Sequence, residues 1–205
     1  MKERPILFNG AMVRAILSGQ KTQTRRVVKG MALEWLQPAM FTPEFVADPF
    51  NGMCPYGQPG DRLWVRECFA DPCYRTTDKD SETVLYRADG KGIGEFGMDE
   101  IRWKPSIHMP RWACRIVLEI VSVRVERLND ISEADALAEG ILADSFEYGV
   151  QRYFRNYRLT DEEASTQQAL TCPIESFRSL WESINGHESW QANPWVWVVE
   201  FKRIA

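Results

Sequence analysis

Histidine is nearly missing from this 205-residue chain, which contains only His108 and His187. That scarcity leaves little from which to build a histidine-based metal centre or a Ser-His-Asp triad. The five cysteines (Cys54, Cys68, Cys73, Cys114 and Cys172) are odd in number and include no C-x-x-C pair. Only Cys68 and Cys73 lie close together, with no histidine nearby, which is a poor zinc pattern; all five are expected as free thiols. No run approaches the roughly 20 apolar residues that span a bilayer. The opening MKERPILFNG has charge but no apolar stretch long enough for a secretory leader. These absences lead to the expectation of a cytoplasmic protein without membrane association, metal or cofactor.

What the chain does contain is ordinary globular material. Hydrophobic residues make up 44% and charged residues 26%, while aromatics reach 12% with eight tryptophans, which speaks against general disorder. One domain over residues 1–205 is expected. The net charge of −4 excludes a chain coated uniformly for nucleic acid. Its distribution is more telling. Residues 1–30 carry Lys2, Arg4, Arg14, Lys21, Arg25, Arg26 and Lys29 against Glu3 alone, a local +6. Residues 133–147 carry Glu133, Asp135, Glu139, Asp144 and Glu147 with no basic residue, a local −5. Such asymmetry could focus an anionic ligand into one cleft; the plainer alternative is a set of solvated faces.

Periodicity orders the elements. Pro5-Ile6-Leu7-Phe8 reads as a strand, and Asn9 as the N-cap of a helix whose Met12, Val13, Ile16 and Leu17 face inward before Gly19 ends it. A strand follows over Lys21–Val28, so the polar cluster 21–26 lies at a helix-to-strand junction. Residues 29–60, with several prolines and little periodicity, read as a long irregular insertion holding at most one short helix. Arg62–Glu67 alternates as a strand, Leu63 and Val65 to one side, Trp64 and Arg66 to the other. Gly90, Gly92, Gly94 and Gly97 lack the strand and helix that a phosphate loop needs. A strong strand spans Ala113–Val125. Ser132-x-x-Asp135 opens a helix that stops at Gly140, and the polar stretch 145–171 reads as a helical insertion or an arm. A helix over Ile174–Ile184 presents Phe177, Leu180, Trp181 and Ile184 on one face, and Pro194–Phe201 closes the chain as a strand. The fold class is therefore α+β, a small mixed barrel with helices at its rim.

Gly19-Gln20-Lys21-Thr22-Gln23-Thr24-Arg25-Arg26 resembles the G-x-K-x-x-E-x-R signature of the ASCH domain family, in the PUA-like superfamily. Gly19, Lys21 and Arg26 match, and Thr24 stands where many members have glutamate. The segments Gly60–Glu67, Ile107–Trp112 and Asn193–Trp197 resemble the prophage-carried branch, leaving insertions at about 29–58 and 145–171 outside the pattern. The resemblance implies a PUA-like β-barrel whose cleft includes the motif lysine, and a role in binding RNA or a modified nucleoside. It also implies a sharper alternative. A member that hydrolyses N4-acetylcytidine carries Lys-Thr-x-Thr-x-Arg, which Lys21, Thr22, Thr24 and Arg26 reproduce. Its catalytic lysine, threonine and glutamate would fall on Lys21, Thr24 and Glu119. Ribonuclease activity is a further branch.

The chemistry is coherent in either case. A desolvated lysine can take the proton of a threonine hydroxyl, and Glu119 or Glu67 could hold that lysine. As a binding protein the chain would use Arg25, Arg26, Arg66 and Arg111 on phosphate, with Trp64 or Trp112 to stack a base and His108 nearby. Plainer roles exist for each residue. Thr22 and Thr24 suit a strand, Arg25 and Arg26 suit a solvated surface, and Glu119 can point outward by alternation. Trp181, Trp190, Trp195 and Trp197 suit a core.

Overall fold

The computed structural model describes residues 1–37, 40–70, 84–90, 101–144, 153–159 and 169–205. The chain is α+β. Short apolar or alternating runs give β1 (Glu3–Leu7), β2 (Gln23–Val27), β3 (Arg62–Arg66), β6 (Val117–Arg127) and β9 (Trp195–Arg203). These five form one sheet in the order β1-β3-β6-β9-β2, in which β1 and β3 run parallel and the other pairs antiparallel. Two small ribbons pair β4 (Phe69–Ala70) with β5 (Leu85–Tyr86), and β7 (Ala143–Asp144) with β8 (Tyr153–Phe154).

Both faces of the last strand are covered, and this organises the fold. Trp197, Val199 and Phe201 join Ile6, Phe8, Val13, Leu63, Val65, Leu118 and Ile120 in the main core. Val196 and Val198, one step out of phase, pack with Leu128, Ala136, Phe177, Trp181 and Trp190 in a second core. The two-residue period of the strand assigns each set to its side. The second core is capped by α4 (Glu133–Ala138) and α5 (Pro173–Asn185). Phe177 and Trp181 of α5 are buried as its spacing requires, but Ile184, expected on the same face, is 51% exposed near the helix end. Trp195 is half-buried, with the Arg127 guanidinium 4.2 Å from its ring.

Helix α1 (Gly10–Leu17) begins where Asn9 Oδ1 accepts from the Met12 amide at 2.9 Å and gives way to Gly19 at φ 77°. The span 29–58 departs from the expectation of an irregular insertion. It holds α2 (Met31–Leu36) and α3 (Pro43–Ala47), and it sends Ala32, Leu36 and Val46 into the main core. Of the span 145–171, only 153–159 and 169–171 are described; Phe154 packs in the second core and Tyr157 against it. Cys73, Gly92, Gly94 and Gly97 lie outside the described residues.

A closed barrel is not what the strand order gives. β1 and β2 are the edges of the sheet, and no backbone pairing joins them among the described residues. The sheet curls all the same. Arg26 Nη2 on one edge donates to the Leu7 carbonyl on the other at 3.0 Å, and the Phe8 ring lies 6.2 Å from that of Phe201. Among the described residues, no helix is long and apolar enough to cross a membrane.

Candidate functional site

Lys21 occupies the joint between α1, β2 and α4. Its amide donates to the Ala15 carbonyl at 2.9 Å, and the Thr22 amide to the Ala138 carbonyl at 2.9 Å. Lys21 and Glu139 form an isolated antiparallel bridge where α4 ends. Gly140 makes this approach possible. Its φ is 80°, and a Cβ there would stand 2.7 Å from the Lys21 Cβ and 2.8 Å from the Ala15 Cβ. A side chain at 140 would therefore be strained in its backbone and collide with its neighbours.

The Lys21 side chain has no solvent exposure, and Nζ donates at 2.8 Å to both the backbone carbonyl and Oε2 of Glu139. An ammonium has three protons, so one is left for another acceptor. Burial pushes the ammonium below its usual value. The Glu139 carboxylate opposes that shift, while Arg25 and Arg26 add to it. The net direction is downward, which raises the fraction of neutral amine near neutral pH.

Glu139 is itself held in place. Its other oxygen, Oε1, accepts from Arg25 Nη1 at 3.1 Å. Arg25, whose side chain is fully enclosed, also meets Glu126 Oε1 at 2.5 Å and Asp135 Oδ2 at 3.3 Å. Arg124 braces the same carboxylates, reaching Glu126 and Asp135 at 3.0 Å each and contacting Glu200. Two cations of the local +6, Lys21 and Arg25, thus meet two carboxylates of the local −5, Asp135 and Glu139, in an enclosed network. Arg25 is consumed in that network, contrary to its expected role as a phosphate contact.

Thr24 and Arg26 project from the other side of β2. Thr24 is 1% exposed, and its Oγ1 has no hydrogen-bond partner among the described residues. An enclosed hydroxyl without a partner costs stability, so it marks a place where structure alone gives no reason for the residue. The Arg26 guanidinium lies 5.4 Å from the Phe8 ring, whose other approach is the Lys21 amine at 5.7 Å. Among the described residues it donates to the carbonyls of Leu7 and Arg25 and not to a carboxylate.

Neither carboxylate expected beside Lys21 is there. Glu119 pairs with Lys202 at 2.8 Å on the outward face of β6. Glu67 is buried at the end of β3, where Arg115 holds it through Nε and Nη2 at 2.9 and 3.0 Å. Trp64, Arg66, Arg111 and His108 gather on the outward side of β3, apart from the lysine. A groove of about 100 Å³ lined by Lys2, Arg4, Cys54, Gly57 and Asp61 includes neither Lys21 nor Thr24.

Glu139 is the site residue that the sequence reading missed. Its signal lay in the elements that were recognised: a helix opened by Ser132 and stopped by Gly140 fixes Glu139 as its last acidic position. Seen only as part of an acidic run, it carried no distinguishing mark. In comparisons with known proteins, no family model, no curated protein and no solved structure matches the chain.

Proposed function

We propose that Lys21, Thr24 and Glu139 form the centre of an amide hydrolase acting on an acylated nucleobase. The observation that carries this reading is a fully buried amine, its pKa lowered and its position fixed by a carboxylate at 2.8 Å, three residues before a buried threonine hydroxyl that has no hydrogen-bond partner among the described residues. The substrate class comes from the resemblance of Lys21–Arg26 to the ASCH signature. On this reading the carboxylate role assigned to Glu119 or Glu67 passes to Glu139, and the curled sheet is a PUA-like barrel left open between β1 and β2.

In the reaction, neutral Lys21 takes the proton from Thr24 Oγ1 while that oxygen bonds to the acyl carbon. The bond from carbon to the exocyclic nitrogen breaks, and the leaving amine receives the proton from Lys21. Water then cleaves the threonine ester with Lys21 again as base, releasing the carboxylic acid. Glu139 orients the amine, and Arg25 orients Glu139. Hydrogen bonds of this kind often tighten only around bound substrate.

Incubation with N4-acetylcytidine tests the proposal. Cytidine and acetate should appear with the parent chain and fall to background with Thr24→Val, whose shape preserves the fold. Turnover that persists in Thr24→Val removes that hydroxyl from the mechanism. Binding without chemistry is the second reading, favoured by the Arg26 guanidinium, which no carboxylate engages among the described residues. It would show as nucleoside affinity in a chain that never releases acetate.

A further inference from the structure

The span 30–61 carries Glu34, Glu44, Asp48 and Asp61 and no lysine, arginine or histidine. Its helices are anchored from one side. Ala32 and Leu36 of α2 and Val46 of α3 enter the main core, while Met31 and Trp35, four apart, share a neighbouring face of α2. Trp35 carries that face across to α3. Its ring lies 4.6 Å from that of Phe41, and Phe41 stacks on Phe45 at 4.7 Å.

The aromatic series ends in solvent. Met31, Met40 and Phe45 are exposed, and Phe50 is 94% exposed on the turn Pro49–Asn51. That turn is fastened at both ends. Asp48 Oδ1 accepts from the Phe50 amide at 2.8 Å, and Asn51 Nδ2 donates to the Phe45 carbonyl at 2.7 Å. Phe50 is therefore held outward next to α3 by bonds in which its own ring has no part. A phenylalanine kept in water on a fixed backbone forgoes the stabilisation that burial gives; clustered with other exposed apolar side chains, it marks a surface that something else completes. Met31 and Met40 add side chains that adapt to a partner's shape.

Charge limits what that partner is. Glu34, Glu44 and Asp48 lie close in sequence to Trp35, Phe45 and Phe50, and none of the three is ion-paired among the described residues. The groove beside Asp48 brings in Lys2 and Arg4 of the first strand, but Arg4 faces Asp61 there: Arg4 Nη1 and Asp61 Oδ2 each lie 3.0 Å from the place a Cβ on Gly57 would take. A nucleic-acid strand or an anionic bilayer is repelled by such a rim, and a second copy of the face would set carboxylate against carboxylate. Helices α2 and α3 present side chains and no strand edge, so the partner must satisfy its own backbone hydrogen bonds, as a helix does. We propose that this face docks a cationic amphipathic helix of another protein. The apolar stripe of that helix lies on Phe41, Phe45 and Phe50, and its lysines or arginines meet Glu34, Glu44 and Asp48. The face shares no residue with the lysine site and stands whether or not that site is a hydrolase.

Fluorescence anisotropy with a labelled amphipathic helical peptide of leucine and lysine tests this, with a leucine–glutamate peptide of the same spacing as control. The lysine peptide should bind the parent chain and the glutamate peptide should not. Phe50→Ser should weaken binding about tenfold or more, the worth of one phenylalanine buried in the complex. Ile184→Ser, which removes an exposed apolar side chain from α5, should leave binding unchanged. Glu34→Lys combined with Glu44→Lys should reverse the preference, so that the glutamate peptide binds the more tightly. No binding of the lysine peptide, equal binding by Phe50→Ser, or equal binding of the two peptides would overturn the proposal. Self-association of the parent chain, or adsorption to phosphatidylcholine vesicles, that Phe50→Ser abolishes would overturn it as well, by giving the face to a second copy or to a bilayer.

Discussion

Around α4, two cations are shut in: Lys21 and Arg25 have no side-chain exposure and share Glu139, which is itself 4% exposed. Along the outward face of β3, Arg111 meets Glu3 with 47% and 37% of the two side chains in solvent, and neither Arg62 nor Arg66 is ion-paired to a carboxylate among the described residues. The two regions are built from the same residue types but differ in dielectric surroundings. An enclosed charge must be paired and hydrogen-bonded or it neutralises; an exposed one is solvated whatever its neighbours. Only the enclosed set can shift a pKa toward catalytic use, and only the exposed set is free to meet an outside anion.

The largest expected effect comes from breaking the enclosed set. Glu139→Ala leaves Lys21 with a backbone carbonyl and no carboxylate, and takes one of three carboxylates from Arg25; removing one partner of a buried pair costs about 3–5 kcal/mol. Urea unfolding should show that loss, and a change below about 1 kcal/mol would mean water reaches these cations.

The pH dependence sharpens the same contrast. Folding holds the Lys21 ammonium below its ordinary 10.5, burial outweighing Glu139. Between the lowered value and 10.5 the unfolded chain binds more protons, so this lysine makes stability rise with pH there. Burial raises the hydroxyls of Tyr56, Tyr86 and Tyr157, which act in the opposite sense at alkaline pH. The test is therefore the difference between the parent chain and Lys21→Met, which should contain the rising component. At the acid end, burial pushes the Asp135 carboxyl up, but Arg25 and Arg124 prevail and hold it below 3.8. Its contribution is complete above 3.8 and fades as pH falls through the lowered value.

Local rules carried much of the fold into view. The Asn9 cap, the Gly19 stop, the Leu63/Val65 alternation and the Ser132–Gly140 helix each depend on residues close in sequence, and each stands as expected. The site was legible by half. Lys21 and Thr24 stand at the helix-to-strand junction, but the partner of Lys21 lies 118 residues away. Glu139 differs locally from Glu133 in standing last before Gly140, but that position does not say what it meets. Arg25 was misplaced for a related reason: β2 is covered on both sides, so alternation chooses a face without saying which face meets water. Of the two helices within 29–58 the sequence suggested at most one, because they are too short for a 3.6-residue period to show, although Val46 is fully buried.

A smaller effect separates chemistry from stability at Thr24. Valine keeps the shape and removes an enclosed hydroxyl that bonds to nothing, so Thr24→Val should stabilise the chain by about 1 kcal/mol. A rise in melting temperature together with loss of acetate release is the pattern of a residue retained for its reaction. A fall in melting temperature would show that the hydroxyl had a partner and was structural.

The smallest effect belongs to the exposed region and tests whether it is as solvated as its geometry implies. Arg111 and Glu3 make a two-bond pair at 2.8 and 3.1 Å, good geometry by any measure. Glu3 sits below its usual carboxyl value chiefly through that hydrogen bond, against slight burial. Water competes for both partners, so Glu3→Gln should change unfolding free energy by less than about 1 kcal/mol, and less still at high salt. If Glu3→Gln instead destabilises the chain as strongly as Glu139→Ala does, the outer face is a structural clasp, and the contrast between the two regions fails.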